Sequence, residues 1–281
     1  WRSYFGTTES HPIQIQRGDA TLSQTVNFGT ALPQNPSDTI YAEFVQDHWL
    51  MGSHVSADLG LRFSTETSGW AVGAAPRVGL AYAPGKDEKT IIRGGAGLFY
   101  GVLPLLAADW AANPSRTITE FDANGVQVGA PITYTNIYTA GLNPLNSPGF
   151  NQGVDTTPRN FTWNAGVVRQ LKKNLQLEVS YLNSRTSYLF VVQPFTAASP
   201  ESPSYLGLTN RGSSKYHEME ATINYTFREN DHVKASYIWS RTRGDLNNLT
   251  SVMIPFAAPV FRPDVTGKLA SDIPQRFVAW G

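Results

Sequence analysis

Apolar residues recur at every second position through long stretches of this chain. In residues 54 to 64, "HVSADLGLRFS", Val55, Ala57, Leu59, Leu61 and Phe63 alternate with His54, Ser56, Asp58, Gly60, Arg62 and Ser64. Strict alternation predicts a strand with one apolar and one polar face. The period returns in "TIYAEFVQDHWLM", where Ile40, Ala42 and Phe44 are set against Tyr41, Glu43, Val45 and Asp47. It returns again in "PRVGLAY", "TIIRGGAGLFY", "FTWNAGVVRQ", "LQLEVSY", "YHEMEATINYTF" and "HVKASYIWS". Eight segments are complete, and a ninth, "PQRFVAWG", runs into the end of the chain.

The connections alternate short and long. "GS" before His54, "PGKDEK", "KKN" and "REND" are tight and carry Gly, Asn or charge, as hairpin turns do. The others run from about Thr65 to Ala74, Gly101 to Asn160, Ser184 to Ser214 and Thr242 to Ile273. All tight turns then fall at one end of an antiparallel up-and-down meander and all excursions at the other. A soluble sandwich has Greek-key crossings and no reason to sort its loops this way. A transmembrane β-barrel has short periplasmic turns and long outer loops. The expected fold is therefore all-β, part of such a barrel. Residues 1–38 read as an outer loop or weak strand, and 39–281 as about nine strands. Trp49, Tyr82, Tyr100, Trp163, Tyr181, Phe227 and Trp239 lie near segment ends, where a girdle of rings would meet the headgroups.

Composition agrees. Only 16% of the 281 residues are charged, against roughly 25% in ordinary soluble domains, and the net charge is zero. No basic surplus marks a nucleic-acid partner. Gly and Pro supply 42 residues and aromatics 12%, a mix suited to strands and turns. There is no cysteine, which removes disulfides and thiolate chemistry. No uncharged apolar run reaches the length of a membrane helix, but a membrane strand needs only about 9–11 residues.

Several of these stretches are similar to TonB-dependent outer-membrane receptors. "IYAEFVQDHWLMGSHVSADLGLRFSTET" resembles the family's strand ending in Gln46, Asp47 and Trp49, followed by one ending in Gly60, Leu61 and Arg62. "APRVGLAYAPGKDEKTIIRGGAGLFYG" resembles the next hairpin of the Oar-like subfamily. "FTWNAGVVRQLKKNLQLEVSYLNSRTSYLF" and "SSKYHEMEATINYTFRENDHVKASYIWSRTRGD" look like later hairpins. The resemblance covers most of residues 39 to 281. It implies an energised receptor or transporter in the bacterial outer membrane that binds its substrate by outer loops and passes it through the lumen. Its partners would be outer-membrane lipid, an unidentified substrate, and the TonB complex acting through a plug domain. No plug is readable in this chain, so the expectation is an interior piece of a barrel. The alternative from another class is a soluble or surface-attached β protein for adhesion or carbohydrate binding, with its apolar faces covered by protein.

Candidate chemistry is sparse. "RGGAG", Arg93 to Gly97, lies inside a strand pattern rather than between a strand and a helix, where a phosphate loop would sit; glycines there leave room for another backbone. "FDANGVQVG" lacks the distal carboxylate of a calcium loop, and "TITEFDANGVQVGAPITY" reads as a hairpin turning at Asn124-Gly125. His11, His48, His54, His217 and His232 have no ligand spacing, and no cofactor is implied. "GVLPLLAADW" reads as a short helix or a packed stretch of loop. Glu218 and Glu220 lie about 7 Å apart along one strand, but acids lining a wet interior explain them without an enzyme. The residues expected to face the lumen are Glu43, Asp47, Arg62, Arg93, Glu178, Glu218 and Glu220.

Overall fold

Branched and aromatic side chains at alternate positions share one side only when the backbone is a pleated ribbon. The computed structural model describes residues 12–30, 37, 39–66, 73–85, 89–102, 110–138, 157–196, 203–228, 231–245 and 266–281. Its strands in chain order begin with β1 (Ile13–Gln16), β2 (Leu22–Phe28), β3 (Ile40–Met51), β4 (Val55–Glu66) and β5 (Gly73–Tyr82). Next come β6 (Thr90–Tyr100), β7 (Arg116–Phe121), β8 (Gln127–Tyr138), β9 (Arg159–Lys172) and β10 (Leu175–Phe195). The last are β11 (Ser204–Arg228), β12 (Asp231–Asp245), β13 (Thr266–Lys268) and β14 (Gln275–Trp280). One 3-10 turn, Trp110–Ala112, precedes β7. The apolar stretch before it, 103–109, lies outside the described residues.

β3, β4, β5, β6, β9, β10, β11, β12 and β14 form a continuous antiparallel wall, each bonded to the next. Directly paired residues in an antiparallel ladder lie on one face. Following the pairs across the wall, Leu59, Val78, Ala165, Val167, Val179, Ile223, Tyr237 and Phe277 fall on one face. All seven rings expected at the membrane boundaries lie on it too, Trp163 and Tyr181 with their centroids 5.3 Å apart. Arg62, Arg93, Thr162, Glu178, Ser180, Glu220 and Ser236 occupy the other face.

Two of the residues expected in the lumen set do not join it. Glu43 stands opposite Phe63 and Asp47 opposite Leu59, so both belong to the apolar face, while Phe44 shares the polar face with Arg62. In β3 both parities carry apolar residues: Ile40, Ala42, Phe44 and Leu50 on one, Tyr41, Val45, Trp49 and Met51 on the other. The strand alone cannot set its phase, and the register with β4 sets it the other way. The Asp47 carboxylate accepts hydrogen bonds from the Trp49 indole and from the His48 amide.

β10 and β11 run 21 and 25 residues, about 70 and 80 Å, well beyond any bilayer. The stretch from Ser184 to Ser214, expected as loop, is instead mostly ladder up to the Phe195–Tyr205 pair. Register shifts around Leu189, beside Tyr188 at φ 61°, mark a bulge where the upper half departs from the wall. There Ser204 to Leu208 of β11 pair in parallel with Tyr134 to Tyr138 of β8. β7, β2 and β1 continue this upper branch of the single fourteen-stranded sheet outward. The β7–β8 hairpin turns at Asn124-Gly125, Gly125 taking φ 77°. Asp122 Oδ1 accepts the amides of Val126 and Asn124, which hold its carboxyl below the usual range.

Nearly all the buried apolar side chains described lie in this upper branch: Val26, Trp110, Tyr134, Phe190, Val191, Val192, Leu206 and Leu208, against only Ala57 and Ala75 in the wall. The upper branch is thus a conventionally packed cap over the end with the long connections. Trp110 is fully buried and donates its indole N–H to the Leu206 carbonyl at 3.1 Å. Arg116, also fully buried, donates to Asn136 Oδ1 at 3.2 Å, and its guanidinium lies 6.0 Å from the Phe28 ring centre. Desolvation pushes its pKa down to about 10, so it stays charged at neutral pH. Asn136 in turn donates to the carbonyls of Asn113 and Pro114 at 2.8 and 3.1 Å. Trp110→Ala should destabilise the cap by about 3–5 kcal/mol. Hydrogen exchange should show faster exchange in β7, β8 and the upper halves of β10 and β11, with β3 to β6 and the lower halves of β9 to β12 unchanged; uniform loss of protection would contradict a separately packed cap.

Candidate functional site

The wall inverts the exposure rule of a soluble sheet. On β9 Phe161, Trp163, Ala165 and Val167 are exposed, whereas Thr162, Gly166 and Val168 are half-buried. On β12 Tyr237 and Trp239 are exposed, whereas Ser236 and Ser240 are 3% exposed. Adjacent Thr222 and Ile223 stand at 3% and 48%. Leu59, Ile223 and Tyr237 stand 40%, 48% and 44% exposed, whereas a soluble adhesion domain would cover such a face with protein.

The polar face is crowded and hydrogen-bonded. Thr222 Oγ1 and Ser236 Oγ are 2.6 Å apart, and Thr222 Oγ1 also lies 3.0 Å from Glu220 Oε1. Asn160 donates to Ser184 Oγ at 2.6 Å and to Thr186 Oγ1 at 2.8 Å, and Thr162 Oγ1 donates to Ser184 at 3.1 Å. Asn224 donates to Gln176 at 3.1 Å. Glu218 accepts the Tyr216 hydroxyl and the Arg276 guanidinium, the latter at 3.2 Å. At the other end His48 Nδ1 lies 2.7 Å from Asp58 Oδ1. Small residues make this crowding feasible: a Cβ on Gly95 would sit 2.9 Å from the Val78 carbonyl oxygen, which is why "RGGAG" occurs within a paired strand.

The expected lumen residues divide by charge. Arg93 and Glu220 lie on one cross-strand row, Arg93–Gly166–Ser180–Glu220, about 14 Å apart at ordinary strand spacing. Glu178, paired with Thr222, is the diagonal neighbour of Glu220, and Glu218 is two residues along the same strand. Arg62 and Arg93 stand on β4 and β6 with Arg77 between them on β5, its guanidinium 4.6 Å from the Phe99 ring centre. On the polar face Arg62, Arg77 and Arg93, together with Asp58, thus stand on β4 to β6, and Glu178, Glu218 and Glu220 on β10 and β11. Sequence reading did not single out Arg77, Tyr216 or Arg276, although each sits at the polar parity of its strand. A depression of about 530 Å³ lies on the apolar face, lined by Val45, Leu59, Leu61, Val78, Leu98 and Phe161. Among the described residues no group of three His, Asp or Glu side chains is placed to hold a metal ion.

A model of the outer membrane beta barrel domain family matches residues 69–281. The chain belongs to that family and hence to the bacterial outer membrane; β3 and β4, which precede the matched residues, continue its ladder in register. It is similar in structure to the outer membrane transporter YddB from Escherichia coli, at 12% identity and a TM-score of 0.56, over 97% of this chain and 34% of that one. It is also similar to the siderophore receptor PirA from Pseudomonas aeruginosa, at 10% identity and a TM-score of 0.50, over 79% of this chain and 40% of that one. At such identities the likeness shows the fold alone. The chain spans about a third of the first and two fifths of the second. A search of curated proteins gives no match.

Ile223 and Asn224 are neighbours at mid-height of the apolar band but occupy opposite faces. Ile223→Arg should cost roughly 2–4 kcal/mol in denaturant unfolding from lipid bilayers, while Asn224→Arg should cost about 1 or less. Equal losses would show that the two faces do not meet different solvents.

Proposed function

We propose that this outer-membrane barrel chain is wall and outer cap of an energised receptor and transporter. The inversion of exposure carries the reading: apolar side chains crowd the open face, and paired polar ones the tighter face. Lipid outside and water inside is the arrangement such a wall fits. On this reading Arg62, Arg93, Glu178, Glu218 and Glu220 look into a hydrated lumen, with Arg77 and Arg276 beside them. Further strands pair with the outer edges of β3 and β14 to close the cylinder, since an open edge in hydrocarbon would leave backbone groups unpaired.

The mechanism assigns no bond chemistry to this chain. The cap and the long connections bind an externally presented solute on a rigid frame. The lumen then conducts it when a plug, linked to the TonB complex, moves within the barrel. The uneven charge of the wall, three arginines (Arg62, Arg77, Arg93) with Asp58 on one side and three acids (Glu178, Glu218, Glu220) on the other, supports this assignment. A plug or solute with opposed charge is oriented by such a field before it makes close contact.

The chain has no cysteine, so single cysteines report cleanly on facing. Arg93→Cys, Glu178→Cys and Glu220→Cys should react in intact cells with a water-soluble, membrane-impermeant maleimide, while Leu59→Cys and Ile223→Cys should not. Collapsing the ion-motive force with a protonophore should slow labelling of the first group. Labelling of Ile223→Cys at the rate of Glu220→Cys would overturn the facing, and rates indifferent to the protonophore would indicate a passive barrel.

A further inference from the structure

The apolar face does not stay apolar to its upper end. One cross-strand row beyond Trp239 stands Arg241, opposite His217. In the next row Arg185 faces Lys215, Lys215 faces Arg243, and Arg243 faces Lys268. Four cations thus stand side by side across β10, β11, β12 and β13, all exposed, as is Arg241. Like charges directly opposite one another destabilise a ladder, so the row holds a cost that a bound anion would relieve. Among the described residues, the carboxylates of Asp245 and Asp272 beside the row serve backbone amides: Asp245 accepts the Ser213 N–H, and Asp272 accepts the Thr242 N–H at 2.6 Å. The ion pairs described elsewhere, His48–Asp58, Arg228–Asp231 and Arg276–Glu218, involve none of these cations.

Position selects the ligand. The row lies four residues beyond Trp239, about 13 Å along the strand, and shares its face with Trp163, Tyr181, Met219 and Trp239 below. A molecule touching both regions must carry an anionic head and an apolar tail. Guanidinium forks and ammonium groups suit phosphate oxygens, and the row is about 14 Å wide, room for two phosphates at once. We propose that Arg185, Lys215, Arg243 and Lys268, with Arg241, dock the phosphate-bearing headgroup of an outer-leaflet lipid whose acyl chains lie on the apolar band. This rests on the reading of that face as the one that meets lipid.

The test uses the protein reconstituted in phosphatidylcholine bilayers containing a minor share of brominated lipid, a short-range quencher of tryptophan. The difference between the protein and its W163F/W239F variant isolates the two rings beneath the row. Brominated phosphatidylglycerol should quench them severalfold more than brominated phosphatidylcholine at equal mole fraction. Lys215→Gln should lower that preference to about half. The fourfold Gln replacement at 185, 215, 243 and 268 should abolish it, while Arg62→Gln with Arg93→Gln on the opposite face leaves it intact. Equal quenching by the two lipids in the unaltered protein would overturn the headgroup site while sparing the lipid-facing reading. Absence of quenching by either would remove that reading and the site with it. Loss of the preference on adding inorganic phosphate at constant ionic strength would reassign the row to free phosphate and overturn the lipid.

Discussion

Backbone amides inside hydrocarbon have no water to turn to, and each unpaired one costs several kcal/mol. That constraint explains why the wall exists before any side chain is considered. β4, β5, β6, β9, β10, β11 and β12 each have a partner on both sides, so lateral ladders satisfy the backbone. Packing is then released from the task of holding the wall together, and only Ala57 and Ala75 of its apolar residues are buried. The two faces are free to answer to different surroundings. One became apolar and open, the other small, polar and hydrogen-bonded.

The cap obeys the opposite rule, and the change occurs within single strands. The lower half of β11 alternates, as in "EMEATINYTF", with Ile223 open and Thr222 buried. Its upper half, "SYLGL", places Leu206 and Leu208 at 1% exposure within the packed cap. β10 changes likewise at Tyr188, from the alternation of "LQLEVSY" to the run "LFVV", of which Phe190, Val191 and Val192 are buried. Alternation marks a strand between two solvents, and a continuous apolar run marks one covered on both faces. The bulge at Leu189 is the joint between the two regimes.

This distinction accounts for what could be read from the sequence. The alternating segments, their order and their apolar faces were legible wherever one parity was clearly apolar, as in "HVSADLGLRF". β3 defeated the reading because Phe44 and Leu50 sit on one parity and Val45, Trp49 and Met51 on the other. Only its pairing with β4 reveals that Glu43 and Asp47 lie with Phe63 and Leu59. The upper halves of β10 and β11 passed for loop because their periodicity vanishes where the cap buries them. The parallel pairing of Tyr134–Tyr138 with Ser204–Leu208 joins stretches some seventy residues apart with β9 and β10 between them, and no local pattern encodes such a contact. Of the candidate site, the parity of Arg62, Arg93, Glu178, Glu218 and Glu220 was readable; their neighbours Arg77, Tyr216 and Arg276 emerge only when strands are laid side by side.

Charge placement carries the same logic a step further. On the polar face several charges find company within the wall: Glu218 with Arg276, His48 with Asp58, Arg77 over Phe99. Charges paired in this way remain tolerable when only water fills the space beside them. The cations at the top of the apolar face are arranged differently, aligned with one another while the adjacent carboxylates serve backbone amides. On the proposed reading their compensation comes from a level of the membrane rich in negative headgroups, which leaves the apolar surface below intact. A wall built this way fixes its own height in the bilayer: rings at the boundary, cations above, and no freedom to slide without stripping one or the other of its proper surroundings.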